Sequence, residues 1–406
     1  MKILFYNHTG QVSGAERMLL MILSRMDRQT FEPFLVCPPE GSLTKMAFQL
    51  GVKVEPLKSL EARFTWRVDH LLLYVVSFLK AMRELRRKVK NHQPDLIHAN
   101  SIRSGLVATA ATIGLKPPVV WHLHDLLPPH PISSLIRLFA ALSGRSVMIA
   151  VSAAVARNFR GRLSSPLNER ISVILNAIDL DKFQPDHFSK RRIRKELRFR
   201  EPDFVVGTVG QITPRKGQLE LLRAFRVALN ESPNMVLLIV GAPLFNRDHE
   251  YLDTLRSTAT KLGIGNKVRL LGARNDVASI MQTLDLLVVN SKAEPFGLVI
   301  VEAMACETPV LAAAVDGIPE IIQHNENGWL VSPGDEAALA EGIVKLSRRP
   351  EHRARLANRG MQHAEAHFSA DRYLVDLHAF YRSRLKKLGS QSAESTTRVT
   401  EVAEVA

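Results

Sequence analysis

The sequence predicts an α/β chain folded as two doubly wound parallel-sheet domains facing a cleft, and three observations support that expectation. The 406 residues, 46% of them hydrophobic, suffice for two ordinary cores. Short apolar runs alternate with helix-length segments from end to end. These runs are apolar throughout rather than at every second residue. That pattern marks strands buried on both faces, and with helices between them it means parallel sheets.

The first set of strands is predicted at 2–7, 33–37, 53–57, 95–99, 119–123, 148–151 and 172–175. After the first of them, "AERMLLMILSRM" (15–26) has apolar residues at 18, 19, 22, 23 and 26, a helical period. The second set is predicted at 204–210, 236–241, 267–272, 285–290, 309–314 and 328–331. The expected organisation is a first domain over 1–180, a polar Lys/Arg-rich linker over 181–203 and a second domain over 204–367. An amphipathic helix over 368–388 follows, and then a small, polar, disordered tail over 389–406.

Cys37 and Cys306 are the only cysteines and form no metal-ligand spacing, which favours a reducing compartment. The start, "MKILFYNHTGQVSG", lacks the apolar stretch of a signal peptide, and "LLLYVV" (71–76) is too short to cross a bilayer. A cytoplasmic protein is expected, with possible peripheral contact at the inner membrane face. Net charge is +14, concentrated in "KAMRELRRKVK" (80–90) and "KRRIRKELRFR" (190–200). Such excess attracts something anionic. Aromatic residues are only 6% and do not interleave with the basic runs, which argues against nucleic acid.

Ligands of open parallel sheets bind at the carboxyl ends of strands, so the loops after the strands carry the candidate chemistry. "SKAEPFGLVIVEAMACETPV" (291–310) reads as a loop running into a helix. The N–H groups of Phe296, Gly297 and Leu298 would be free to hold phosphate oxygens. Glu302, one turn deeper in an apolar run, needs hydrogen bonds if ionised. Either a nearby Arg or the vicinal hydroxyls of a ribose supply them, and Glu294 is either a crevice group or an exposed loop acid. "GTVGQITPRKG" (207–217) sets Arg215, Lys216 and a glycine at a strand-to-helix turn. That turn is either an anion site or a solvated basic turn. "NHTGQVSGAERML" (7–19) brings Gly14 to a helix start with Ser13 and Glu16 at capping-box spacing. In "VVWHLHD" (119–125), His124 stands at a strand end and shares a face with His122. A metal there would need a third ligand, and none is evident.

Glu294-x7-Glu302 followed by "AMACETPVLA" closely resembles the signature of the retaining family 4 glycosyltransferases of GT-B fold. "GQITPRKG" is similar to that family's phosphate loop, "SGAERML" to its N-terminal glycine loop, "VILNAIDLDKF" (173–183) to its interdomain element and "NGWLV" (327–331) to its late turn. The likeness covers about residues 1–385. It implies that Lys216, with Arg215 beside it, contacts the donor diphosphate, that Glu302 holds the ribose, and that Glu294 contacts hydroxyls of the transferred sugar. It further implies that Phe296–Leu298 bind the distal phosphate with Gly14 approaching from the other domain, that His124 serves the acceptor side, and that backbone near Arg274 meets the nucleobase. The C-terminal helix would cross back onto the first domain. Gln211, Ala177 and Glu307 depart from the family's usual Arg, Gly and Gly.

The expected activity is retaining transfer of a hexosyl unit from a UDP- or GDP-sugar to a hydroxyl of a glycan or lipid-linked acceptor. No cofactor is expected beyond the nucleotide sugar as substrate, and no metal. The basic helix 70–90, through Arg83, Arg86, Arg87, Lys88 and Lys90, is either a surface for an anionic membrane or a solvated helix face. A nucleotide-sugar epimerase and a non-catalytic GT-B partner subunit are the alternatives.

Overall fold

The computed structural model describes residues 1–59, 68–161, 167–244 and 248–384. The expected tail at 389–406 and residues 385–388 of the expected last helix lie outside them. Both sheets are wholly parallel. The first comprises β1 (Lys2–Tyr6), β2 (Glu32–Cys37), β3 (Lys53–Pro56), β4 (Leu96–Ala99), β5 (Val119–Leu123), β6 (Ser146–Ala150) and β7 (Ile171–Val173), in the order β3-β2-β1-β4-β5-β6-β7. The second comprises β8 (Phe204–Val209), β9 (Met235–Val240), β10 (Val268–Gly272), β11 (Leu286–Val289), β12 (Val310–Ala313) and β13 (Trp329–Val331), in the order β10-β9-β8-β11-β12-β13. All thirteen expected strands are present. The central strands are sealed on both sides, as in Ile3–Tyr6, Leu96–Ala99 and Met235–Val240, whereas β3 and β10 at the sheet edges are only partly buried.

The strand order reverses between β1 and β4 in the first sheet and between β8 and β11 in the second. At such a switch point the flanking helices leave toward opposite faces and a crevice opens at the strand ends. The loops at 7–14, 210–217 and 291–297 all emerge there. The strand-end motifs singled out in the sequence are therefore placed by topology as well as by pattern.

The chain returns to its first domain at the end. Ile178 and Ser369 form an isolated bridge, with Ile178 N–H donating to Phe368 O (2.9 Å) and Ala370 N–H to Ile178 O (3.1 Å). Helix 370–384 then buries Tyr373, Leu374, Leu377, Phe380 and Tyr381 among Ile3, Phe5, Leu19 and Leu23. The segment 181–203, expected as a linker, instead carries the helix His187–Glu196, capped by Asp186 on the N–H groups of Phe188 and Ser189. Part of its basic run is spent internally, since Arg194 donates to Thr283 O (3.0 Å), Asp203 O (2.7 Å) and Asp285 (3.2 Å).

Helix Val68–His92 corrects one expectation about its basic face. Arg86 donates to the carbonyls of Ala111 and Ile113 (2.8 and 2.7 Å), and Lys88 pairs with Glu55 (3.2 Å). Arg86 thus closes the end of helix Ile102–Ala111, and Lys88 is spent on a side chain of β3. The face that meets water is Leu73, Val76, Lys80, Arg83, Arg87 and Lys90, at alternating spacings of three and four residues. Among the described residues no helix is long and apolar enough to cross a membrane.

Leu377 is fully buried in the returning helix. Leu377→Ala should cost about 2–4 kcal/mol in urea unfolding, and an unchanged midpoint would contradict this docking.

Candidate active site

The loop after β8 ends in a turn that only glycine fits. Gly217 has φ +67°, and a Cβ on it would lie 2.0 Å from Asn290 O. This contact locks the 210–217 loop against the end of β11, and Asn290 Nδ2 donates back to Gly217 O (3.2 Å). Lys216 is thereby brought beside the second loop, where its ammonium donates to the Glu294 carboxylate. Ser291 Oγ donates to the same Glu294 oxygen (2.9 Å), and the Glu294 N–H is held by Asp316 (2.8 Å). Burial is the largest influence on Glu294 and acts to raise its pKa. Lys216, Arg215 and Ser291 outweigh it and hold the carboxyl below its ordinary range. Arg215 donates to Ala293 O (2.8 Å), with its side chain on the solvent side of the loop.

Gly297 (φ +109°) turns the chain into helix Leu298–Ala305. Among the described residues, the N–H groups of Phe296, Gly297 and Leu298 have no hydrogen-bond partner. The Phe296 ring is buried against Phe368 (5.8 Å), which leaves its backbone as the part facing the crevice. Gly14 meets this helix from the first domain, and a Cβ on Gly14 would stand 3.7 Å from Leu298 Cδ1.

Glu302 is 8% exposed. Among the described residues no group donates a hydrogen bond to its carboxylate and no cation pairs with it within 4 Å. Burial lifts its pKa above the carboxylate range, and Arg17 and Lys182 pull it part of the way back. Of the two suppliers the sequence left open, an arginine in contact is therefore not the one found.

His124 is buried at the end of β5, and its Nε2 lies 3.1 Å from Asn100 Oδ1. Its ring lies 3.9 Å from that of His122, which bonds His98 (3.2 Å). Among the described residues no cluster of three or more ligating side chains suits a metal ion. The chain does hold one Asp-x-Asp, Asp179-Leu180-Asp181, but Arg25 pairs with both carboxylates. Arg274 stands apart from the other candidates. Its guanidinium is forked onto Asp276 (2.8 and 2.7 Å) and reaches Glu196 (3.1 Å), so only its backbone is available to a ligand. Glu307 has φ +54°, the left-handed region its replaced glycine would enter freely, whereas Ala177 is not in that region.

Sequence patterns missed the contacts that close the cleft. Ser152 Oγ donates to Pro295 O (2.6 Å), and the N–H groups of Ala153 and Ala154 both donate to the Glu320 carboxylate (2.7 Å each). They also missed Ser291 and Asp316. The one available signal was that "VDG" (315–317) follows strand β12 at the same edge.

A raised carboxyl pKa means the cost of burying the charge is absent at low pH. It is felt in full once pH passes the folded-state pKa. Glu302→Gln should therefore raise the unfolding temperature at pH 7 to 8, by about 2–4 °C for each 1 kcal/mol removed. The gain should fade toward pH 4. A lower unfolding temperature at pH 7 would show that the carboxylate is satisfied in the protein.

The chain matches the family profile of glycosyl transferases group 1 over residues 189–363 and that of glycosyltransferase family 4 over residues 12–182. It is 31% identical over 297 residues to a D-inositol 3-phosphate glycosyltransferase of Frankia alni, covering 68% of this chain and 71% of that one. To the Salinispora tropica protein of the same name it is 30% identical over 330 residues, covering 76% and 66%. HepE of Anabaena, solved in complex with UDP-glucose, superposes with a TM-score of 0.82 at 28% identity over 94% of this chain and all of that one. Sucrose-phosphate synthase of Thermosynechococcus elongatus shares the fold at a TM-score of 0.76 and 20% identity, over 94% and 98%. With one profile on each sheet and relatives alignable across both, the chain belongs to the glycosyl transferases group 1 family and is a glycosyltransferase of two-domain GT-B architecture.

Proposed function

We propose that this enzyme transfers a hexosyl unit, with retention, from a nucleotide-diphosphate sugar to a hydroxyl of a glycan or lipid-linked acceptor, without a metal ion. The observation that carries the proposal is Glu302: a buried carboxylate with no donor among the described residues, one helical turn below three N–H groups likewise unpartnered there. A nucleoside diphosphate supplies both missing partners, two ribose hydroxyls for the acid and phosphate oxygens for the N–H groups. HepE, alignable over nearly the whole chain, binds UDP-glucose, which favours a UDP-sugar over a GDP-sugar.

In the donor-free protein Lys216 is neutralised by Glu294. Donor binding exchanges partners. The diphosphate takes Lys216, with Arg215 turning in from the loop, and Glu294, still held by Ser291 and Asp316, accepts hydrogen bonds from hydroxyls of the sugar. As the bond from the anomeric carbon to the diphosphate oxygen breaks, negative charge grows on the leaving group. Lys216 and the helix N-terminus are aimed at that charge. The acceptor oxygen attacks from the same face, and its proton passes to the departing phosphate oxygen. Charge stabilisation comes from protein groups alone, so a divalent cation is not required. Gln211 contributes no cation, and its carbonyl is occupied by Gln218 Nε2 (2.9 Å).

The acceptor side is the first domain, and the water-facing stripe of helix Val68–His92 suits an anionic membrane carrying a lipid-linked acceptor. Leu73 and Val76 would enter the interface while Lys80, Arg83, Arg87 and Lys90 meet headgroups. Arg83→Glu with Arg87→Glu should reduce cosedimentation with vesicles containing anionic phospholipid. Equal binding would place the contact elsewhere.

Lys216→Ala should lower donor turnover about 10²–10³-fold in a protein that still folds but unfolds at a lower temperature, because the buried Glu294 loses its cation, and EDTA should leave the wild-type rate intact. Loss of activity on chelation that magnesium restores would overturn the metal-free mechanism. Release of free nucleoside diphosphate with no need for an acceptor would point to an epimerase. A thermal-shift screen against UDP-, GDP- and ADP-sugars fixes the base, since stabilisation follows affinity.

A further inference from the structure

Helix Ala153–Arg160 belongs to the first domain, but its start is capped from the second. The Val155 N–H is taken by the Ser152 side chain (3.1 Å), an ordinary N-cap. The two N–H groups before it have no carbonyl within the helix to meet. Both are taken by Glu320, Ala153 N–H by Oε2 and Ala154 N–H by Oε1, each at 2.7 Å. One carboxylate thus spans two donors at the positive end of a helix, a charge-assisted pair with a single orientation.

Glu320 ends a short 3-10 turn, Ile318–Glu320, and the residues just before that turn hold the loop of Glu294. Asp316 accepts the Glu294 N–H (2.8 Å), and the Gly317 N–H donates to Glu294 O (3.1 Å). A Cβ on Gly317 would lie 2.3 Å from Pro295 O and 3.0 Å from Phe296 Cα, so the two loops touch backbone to backbone. The same Pro295 O accepts from Ser152 of the first domain (2.6 Å). Residues 294–296 are therefore gripped by 316–317 on one side and by the first domain on the other, and Glu320 ties the two grips together. The tie is reversible. Glu320 is only partly buried, so parting the domains returns its carboxylate to water instead of stranding it. The groups proposed above to hold the nucleoside diphosphate, Glu302, Lys216 and the N–H groups of Phe296–Leu298, all belong to the second domain.

We infer that Glu320 is a positioning residue for the transfer: seated on the start of helix Ala153–Arg160, it holds the cleft closed before any donor arrives and keeps the Glu294 loop in place. Leaving that seat is the step that opens the cleft for nucleotide exchange. The part played in exchange rests on the donor site proposed above. The hold on the loop rests on the contacts alone.

Two variants break the contact from opposite domains, which guards against a folding defect in either. Glu320→Gln keeps the shape but sets an NH₂ against one of the N–H groups. Ala153→Pro deletes a donor at the first helical position, where proline fits, and Ser152 before it is already extended (φ −158°, ψ 162°). Losing a hydrogen bond to a charged group shifts an equilibrium about tenfold or more. In the ligand-free protein, hydrogen exchange at the Glu294 and Gly317 amides should therefore quicken about tenfold in both variants, although neither substitution touches those amides. Stopped-flow binding of UDP should show association and dissociation accelerated together, with Kd within about twofold, because the open fraction rises while the nucleotide contacts stay. The double variant should be no faster than the faster single one, since both break the same contact. Unchanged exchange at 294 and 317, or effects that multiply in the double variant, overturns the inference. So does faster dissociation with association unchanged, the mark of a damaged nucleotide site. If neither UDP nor GDP binds the wild type, the donor site itself is withdrawn, and the exchange rates, which need no ligand, still decide the hold on the loop.

Discussion

An acid on an otherwise apolar helix is the constraint around which the second domain is arranged. Glu302 occupies helix Leu298–Ala305, whose neighbours Ile300, Val301, Ala303, Met304 and Ala305 are all buried. An ionised carboxylate in such a place costs several kcal/mol unless hydrogen bonds replace lost water, and none of the described residues provides one. The position is tolerable because the helix begins at a switch point, where the crevice keeps one side open and a ligand can complete the site. Parallel topology, the positive-φ glycine at 297 and the unpartnered N–H groups of the first turn thus belong to one arrangement.

The cleft is closed by contacts of a different kind. Ser152 caps its own helix at Val155 N–H and donates across to Pro295 O, while Glu320 takes the first two N–H groups of that helix. These bonds join the first domain to the very loop that carries Glu294. Domain position and the geometry of the 291–297 turn are therefore mechanically linked, as a cleft that excludes water during transfer requires. The returning helix adds a second link, because Tyr381 reaches His98 beneath the strand that ends at His124.

Much of this was legible in the sequence, and the reason is periodicity. Continuous apolar runs identify buried parallel strands, and strand ends identify where ligands bind, so the 13 strands and the loops at 7–14, 210–217 and 291–297 were located without coordinates. Pairing was not legible. That Lys216 meets Glu294, that Arg86 and Lys88 are consumed inside the first domain, and that Asn7 and Asn100 stand behind His124 all depend on residues 24–93 positions apart. No local pattern encodes such distances. The helix at His187–Glu196 was passed over because its composition, basic and almost without apolar residues, matches a linker. One buried Ile193 and the bonds of Arg194 hold it down instead.

The central claim is that the helix turn at 296–298 and Glu302 form one nucleotide site. A crystal structure of the protein with UDP decides it most directly. The account predicts ribose hydroxyls within hydrogen-bonding distance of the Glu302 carboxylate, and phosphate oxygens on the N–H groups of Phe296–Leu298 and on Lys216, released from Glu294. Nucleotide density elsewhere in the cleft, with Lys216 still on Glu294 and Glu302 turned to Arg17 or Lys182, would contradict it.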